Sequence, residues 1–92
     1  MNYTLDFTDK SKKDIQKIKK SGNKALYKKL TILLEELIEH PYTGTGNPEQ
    51  LKHKLFGYWS RRISKEHRLI YSINDSVVTI TILSALGHYS DK

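Results

Sequence analysis

The hydrophobic period of this chain changes twice, from two to about 3.6 and back to two, and that fixes the order in which strands and helices must come. Tyr3-Thr4-Leu5-Asp6-Phe7 alternates apolar and polar residues and reads as a short strand with Tyr3, Leu5 and Phe7 on one face. Thr8 or Ser11 is placed to cap a following helix, Asp9 and Asp14 suit the positive end of its dipole, and Ile15 and Ile18 mark its buried side. Ser21-Gly22-Asn23 ends it. From about Lys24 to Glu39, Leu26, Leu30, Leu33, Leu34 and Leu37 recur at three- and four-residue spacing, which predicts a second, longer helix. Pro41, Gly44, Gly46 and Pro48 then punctuate a loop. That loop follows a helix and lacks GxxxxGK[ST] or GxGxxG spacing, so it is not a phosphate cradle. Period two returns at Leu51 to Leu55, Tyr58 to Ser64 and His67 to Asn74. After the turn Asn74-Asp75-Ser76 it closes with Val77 to Leu83. The expectation is an α+β fold of order β-α-α-β-β-β-β, with two helices packed on one face of an antiparallel sheet. Residues 1–92 are expected to form one domain, a length that buries about 60 to 65% of the unfolded surface.

The residues left outside that core are basic. Sixteen Lys and Arg against ten Asp and Glu give a formal charge of +6, which favours a polyanionic partner such as nucleic acid or an anionic membrane surface. Most of the lysines fall on the outer helix faces, where a solvated surface is the plain reading. No cysteine is present, which excludes a disulfide framework and a thiolate zinc site. His40, His53, His67 and His88 show no ligand spacing, so neither metal nor cofactor is expected; His53 and His67 read as structural or surface residues. MNYTLDFTDK has no signal-peptide core, and no apolar run approaches a membrane span. The expected location is cytoplasmic, with no membrane partner.

Alternation assigns the strand residues to faces. Leu51 and Leu55, then Leu69, Tyr71 and Ile73, then Val78, Ile80 and Ile82 are the expected partners of the helices. The opposite face receives Lys52, Lys54, Arg68, Ser72, Thr79 and Thr81. With Trp59 and Ile63 in the core, Arg62 joins that face and Arg61 is left on the buried side near an edge, which leaves open whether it faces core or ligand. Cations beside Tyr58 as a stacking surface form a platform for phosphates and unpaired bases. An uncommitted basic surface is the competing reading.

The run GNPEQLKHKLFGYWSRRISKEHRLIY, residues 46–71, together with Gly87-His88-Tyr89, is similar to the YoeB (Txe) branch of the RelE/ParE toxin superfamily. Its members show G-x-P-E-x-L-K-x-x-L-x-G-x-[WY]-S-R-R-I-x-x-E-H-R-L-x-Y. The N-terminal half matches only in length and helical character. The resemblance implies a RelE-like fold and a type II toxin, a ribosome-dependent endoribonuclease that cuts mRNA in the decoding site. It further implies a homodimer silenced by one or two copies of a YefM-like antitoxin. Carried over residue by residue, Glu49 resembles the general base, Arg68 the phosphate-stabilising arginine and His88 the general acid, with Tyr89 placing the substrate. Lys52 and Arg62 resemble the residues that grip RNA, and Lys54, less typical of the family, adds charge.

Those residue types suit the chemistry on independent grounds. Cleavage without a metal needs a base for the ribose 2′-hydroxyl, an acid for the departing 5′-oxygen and a cation for the developing phosphorane. Taken singly each residue has a plainer reading: Glu49 as a solvated loop acid, Arg68 as a weak exposed pair with Glu66, and His88 as part of a frayed tail. Family members commonly end at or just after His-Tyr, whereas Ser90-Asp91-Lys92 follow here, which bears on any role for a terminal carboxylate. Two rival functions share parts of this pattern. A ParE-like gyrase inhibitor has the same fold but lacks the combination of Glu49, Arg68 and His88. A non-catalytic RNA-binding module needs only the basic face.

Overall fold

A computed structural model describes residues 2–86 of the chain. The elements run β1 (Thr4–Phe7), α1 (Asp9–Lys20), α2 (Lys24–Glu39), β2 (Glu49–Gln50), a 3₁₀ turn (His53–Leu55), β3 (Trp59–Arg62), β4 (Arg68–Asn74) and β5 (Thr79–Ser84). Thr8 caps α1, accepting from Ser11 N–H while its own hydroxyl donates to Leu83 O, so the cap also ties the helix start to the last strand. Asn23 caps α2 by accepting from Leu26 N–H, after Gly22 has turned the chain at φ +80°. Leu30, Leu33 and Leu37 of α2 and Ile18 of α1 pack on Leu69, Tyr71, Ile80 and Ile82 of the sheet, all buried. The helical stripe and the strand alternation therefore meet in one core.

The five strands lie in the order β1-β5-β4-β3-β2. Three neighbouring pairs are antiparallel, as expected, but β1 joins β5 in parallel, Thr4 beside Thr79 and Phe7 beside Ile82. Alternation carries no information about strand direction. Here direction follows from β1 having to run straight into α1 on the covered face, with Tyr3 N–H held by Ile38 O at the end of α2.

The strand expected at Leu51 to Leu55 is corrected. β2 is only Glu49–Gln50, and residues 51–58 form a tight connection containing the 3₁₀ turn. His53 adopts φ +58° and Gly57 φ +98°, both incompatible with extended backbone. The spacing Leu51 to Leu55 is four as well as twice two, so a short apolar-polar alternation fits a helical turn as well as a strand. Leu51 is buried outside the helix-side core, and Leu55 is half-buried. Val78, expected on the helix face of the last strand, lies in the turn before β5 at φ +48°.

Candidate nucleic-acid interface

Strand register sets the site. Directly paired residues project to the same face, so Glu49 on β2, Ser60 on β3 and Ile70 on β4 form one row across the helix-free face. Two residues further along β3, about 7 Å away, Arg62 lies opposite Arg68 in the next row. Glu49 and Arg62 are exposed, Arg68 is half-buried, and Ser60 and Ile70 are buried. A carboxylate residue thus stands one row from two arginines set opposite one another, residue types suited to an anion such as a phosphodiester. Beside Arg62 the surface dips into a cleft of about 310 Å³ lined by Lys29, Asn47, Arg62 and Lys65, which extends the positive charge around the edge.

The loop before β2 is fixed by the arginine that sequence left unassigned. Arg61 is fully buried: its Nε donates to Tyr71 Oη at 3.1 Å, Nη1 to Glu36 Oε1 at 3.1 Å and to Thr45 O at 3.4 Å, and Nη2 to Thr43 O at 2.7 Å and to His40 O. Tyr71 Oη in turn donates to Pro41 O at 3.0 Å, and burial pushes its hydroxyl pKa up, partly offset by Arg61. The Glu36 carboxylate also accepts from Thr45 N–H and Oγ1, and those bonds, with Arg61, hold it below the usual range despite burial. One guanidinium therefore gathers the carbonyls of residues 40–45. Gly46 closes the junction: at φ +87° its N–Cα bond lies in the left-handed region, and a Cβ there would stand 2.9 Å from Arg62 O. Arg62 N–H donates to Gly46 O at 2.6 Å, so this loop hands the chain to Glu49 with little slack.

The far end of the sheet is held by Asp14. This carboxylate, 5% exposed, accepts from Lys10 Nζ at 2.9 Å and from the N–H groups of Ala85 and Leu86 at 3.0 and 3.3 Å. Burial alone would raise its pKa, but the three donors outweigh it and hold the group below the ordinary carboxylate range. In the turn between β4 and β5, Asp75 accepts from both Tyr3 and Tyr42 at 2.6 Å, which raises both phenols, Tyr42 to about 12, and lowers Asp75. Tyr42 also meets Trp59 edge to face at 5.4 Å.

The structure accordingly brings Glu49, Arg62 and Arg68 to one face and puts Lys52 and Lys54, exposed, on the turn just beyond β2. Lys52 and Lys54 stand there on a turn and not, as expected, on a strand. His88 and Tyr89 lie outside the described residues. Sequence reasoning passed over Asp14 as more than a helix-end charge, and Ser60, whose Oγ is buried with no hydrogen-bond partner among the described residues. The buried phase of Arg61 was a usable signal; for Ser60 there was none. Among the described residues no cluster of His, Asp and Glu could hold a metal ion, and no helix is long and apolar enough to cross a membrane.

Two helices on one side of a five-stranded, mostly antiparallel sheet are the fold of the RelE-superfamily toxins. The profile described as "YoeB-like toxin of bacterial type II toxin-antitoxin system" matches residues 7–89. Toxin YoeB of Synechocystis sp. is 44% identical over 68 residues, covering 74% of this chain and 77% of that one. The toxin in a YoeB-YefM complex from Staphylococcus aureus superposes with a TM-score of 0.80 at 36% identity, covering 97% of this chain and 100% of that one. A YoeB dimer from the same organism gives 0.82 at 34% identity with the same coverage. The chain belongs to the YoeB family of type II toxins.

Proposed function

We propose that this toxin is a ribosome-dependent endoribonuclease that cuts mRNA by attack of a ribose 2′-oxygen on the adjacent phosphorus. The observation that carries the reading is the pair Arg62 and Arg68, opposite one another and one row from Glu49 on the face the helices leave open. Glu49 takes the proton of the 2′-hydroxyl, and Arg68 neutralises the charge gathering on the phosphorane. His88 delivers a proton to the departing 5′-oxygen and Tyr89 places the nucleotide, roles that rest on the family pattern. Arg62, Lys52 and Lys54 hold the flanking phosphates. Membership of the family, and the antitoxin bound to the S. aureus relative, support a YefM-like antitoxin as partner; the dimeric relative supports a homodimer. An acidic antitoxin segment laid over this face would neutralise the charges that receive RNA.

Single-turnover cleavage of mRNA at saturating ribosomes tests the assignment. Glu49→Gln and His88→Ala should each slow it by roughly 10² to 10⁴, the usual contribution of a positioned acid or base. Ribosome affinity of Glu49→Gln should stay near wild type. Arg68→Ala should do at least as much damage, and Arg68→Lys should recover only part, because a point charge replaces a bidentate fork. Wild-type rates in Glu49→Gln and His88→Ala would remove both from the chemistry; an intact message with poisoned gyrase would move the chain to a different mode of toxicity.

A further inference from the structure

Between Leu51 and Tyr58 the chain makes a turn that is stiff in backbone yet offers its largest side chain to water. Leu51 N–H closes it onto Tyr58 O at 2.9 Å, and inside it Leu55 N–H bonds Lys52 O, Phe56 N–H bonds His53 O and Tyr58 N–H bonds Leu55 O. Buried Leu51 anchors one end, and half-buried Tyr58 and Trp59 the other. Phe56, in the middle, is 82% exposed, more than any other large apolar residue described, the next being Val77 at 62%. Gly57, at φ +98° with open space where a Cβ would stand, lets the chain turn there while the ring stays outside. A phenyl ring held out by four backbone hydrogen bonds forgoes the burial that folding normally collects from such a side chain.

Its neighbours identify what could cover it. Lys52 and Lys54, both exposed, stand on the same turn, and the turn issues directly from β2, one residue after Gln50 and two after Glu49. Arg62 and Arg68 lie one row beyond Glu49 in the opposite direction along β3, so the site has cations on one side of the carboxylate and cations with a bare aromatic ring on the other. A protein partner that recognised the ring through apolar contact alone would offer no anionic group to the lysines beside it. An unpaired nucleotide matches both, its base on the ring and its phosphates on the ammonium groups.

We propose that Phe56 is a stacking platform for an unpaired base of the RNA flanking the cut, with Lys52 and Lys54 holding the adjoining phosphates. The inference rests on the reading of RNA as the substrate and adds to it a contact, outside the acid-base group, that places the strand. Because every base presents a π-face, this contact tolerates sequence and contributes to affinity and register more than to base choice.

The test uses the full chain and a short fluorescein-labelled, single-stranded RNA with 2′-O-methyl groups throughout, which has no 2′-hydroxyl to attack and so reports binding alone. By anisotropy, Phe56→Ala should bind about 5- to 150-fold more weakly than wild type, the range for losing one stacked base. Phe56→Tyr should stay near wild type, and Phe56→Leu, apolar but unable to stack, should resemble the alanine variant. Phe56→Trp should show tryptophan quenching on adding RNA beyond the change seen from Trp59 in wild type. Thermal melting of all four variants should match wild type, since the ring contributes little to the folded core. Equal RNA affinity of Phe56→Ala and wild type overturns the proposal, whatever Glu49→Gln does to cleavage. So does a loss confined to the affinity for antitoxin, which would make the turn a protein contact. If Phe56→Ala binds weakly while Glu49→Gln cleaves normally, the platform stands and the acid-base assignment falls.

Discussion

Replacing Arg61 probes how a buried charge holds the site's loop. The guanidinium is wholly inside and bonds five oxygens, one of them on the Glu36 carboxylate, whose side chain is 27% exposed. Arg61→Leu leaves Tyr71 Oη without its donor and deprives three loop carbonyls of theirs. Removing one partner of a buried ion pair costs about 3 to 5 kcal/mol. The lower half of that range applies, because His40, Thr43 and Thr45 are exposed residues whose carbonyls can take water and Glu36 keeps its bonds to Thr45. At about 4 to 8 °C per kcal/mol for a domain of this size, a loss of ~3 kcal/mol lowers Tm by roughly 12 to 24 °C. Arg61→Lys keeps a charge but not the fork and should recover less than half. Calorimetry gives the melting shift, and limited proteolysis should find new cuts in residues 42–46 below the melting temperature. A double-mutant cycle with Glu36→Gln should return a coupling of about 0.5 to 3 kcal/mol. Arg61 has no exposed surface, so uncleavable RNA should bind folded Arg61→Leu as it binds wild type. A melting shift under 4 °C, or an RNA affinity that collapses at a temperature where the variant is fully folded, would refute the assignment of Arg61 to scaffold.

Asp14→Asn should cost about 1 to 3 kcal/mol, since all three donors converge on Oδ2 and a neutral amide oxygen there loses the charge that strengthens those bonds. Because two of them are the N–H groups of Ala85 and Leu86, just ahead of His88, single-turnover cleavage should fall while RNA affinity holds; an unchanged rate would show that this grip does not position the tail. The carboxyls of Asp14, Glu36 and Asp75 all bind protons less tightly folded than unfolded. The unfolded chain therefore takes up more protons as pH falls, and stability present above the unfolded values of 3.8 to 4.5 is lost below them. A flat acid limb in urea melts would contradict this. In an ultraviolet titration Tyr42 should ionise near 12 and Tyr3 above its ordinary 10.0, and Asp75→Asn should bring both down; no change would mean that the tyrosine-carboxylate clamp is absent in solution. Ser60→Ala should leave stability unchanged or raise it by about 1 kcal/mol, because the hydroxyl it removes is buried without a partner among the described residues. A loss above 1 kcal/mol would show that this hydroxyl is bonded in the folded toxin.

How much could be read beforehand depended on whether a signal was periodic or spatial. Both helices were legible nearly to the residue because leucine spacing, a cap at Thr8 or Ser11 and the Ser21-Gly22-Asn23 break agree, although the sequence did not mark Asn23 as the cap of α2. The faces of β4 and β5 followed from alternation, with Leu69, Tyr71, Ile80 and Ile82 all inside. Five residues from Leu51 to Leu55 were too few to separate period two from a single helical turn, and the positive φ of His53 has no compositional mark. Parallel pairing of β1 was invisible for the same reason that any direction is: side-chain alternation is unchanged when a strand is reversed. For the site, alternation set Arg62 and Arg68 on the open face, whereas only the pairing register made them opposite neighbours in the row next to Glu49. The exposure of Phe56 depended on a turn that the sequence reads as a strand.

The parallel seam between β1 and β5 has a temporal consequence. Thr4 waits for Thr79 and Phe7 for Ile82, and the bonds of Tyr3 to Asp75 and of Asp14 to Ala85 span the chain in the same way. At about 5 to 20 residues per second a ribosome needs roughly 4 to 15 s to make the 75 residues separating Thr4 from Thr79. During that interval the first strand has no partner and α1 has no sheet to lie on. Contacts so far apart in sequence also form late once the chain is free. A nascent toxin of this topology therefore stays unassembled until β5 has been made, so its first strand and first helix are exposed through most of the chain's synthesis.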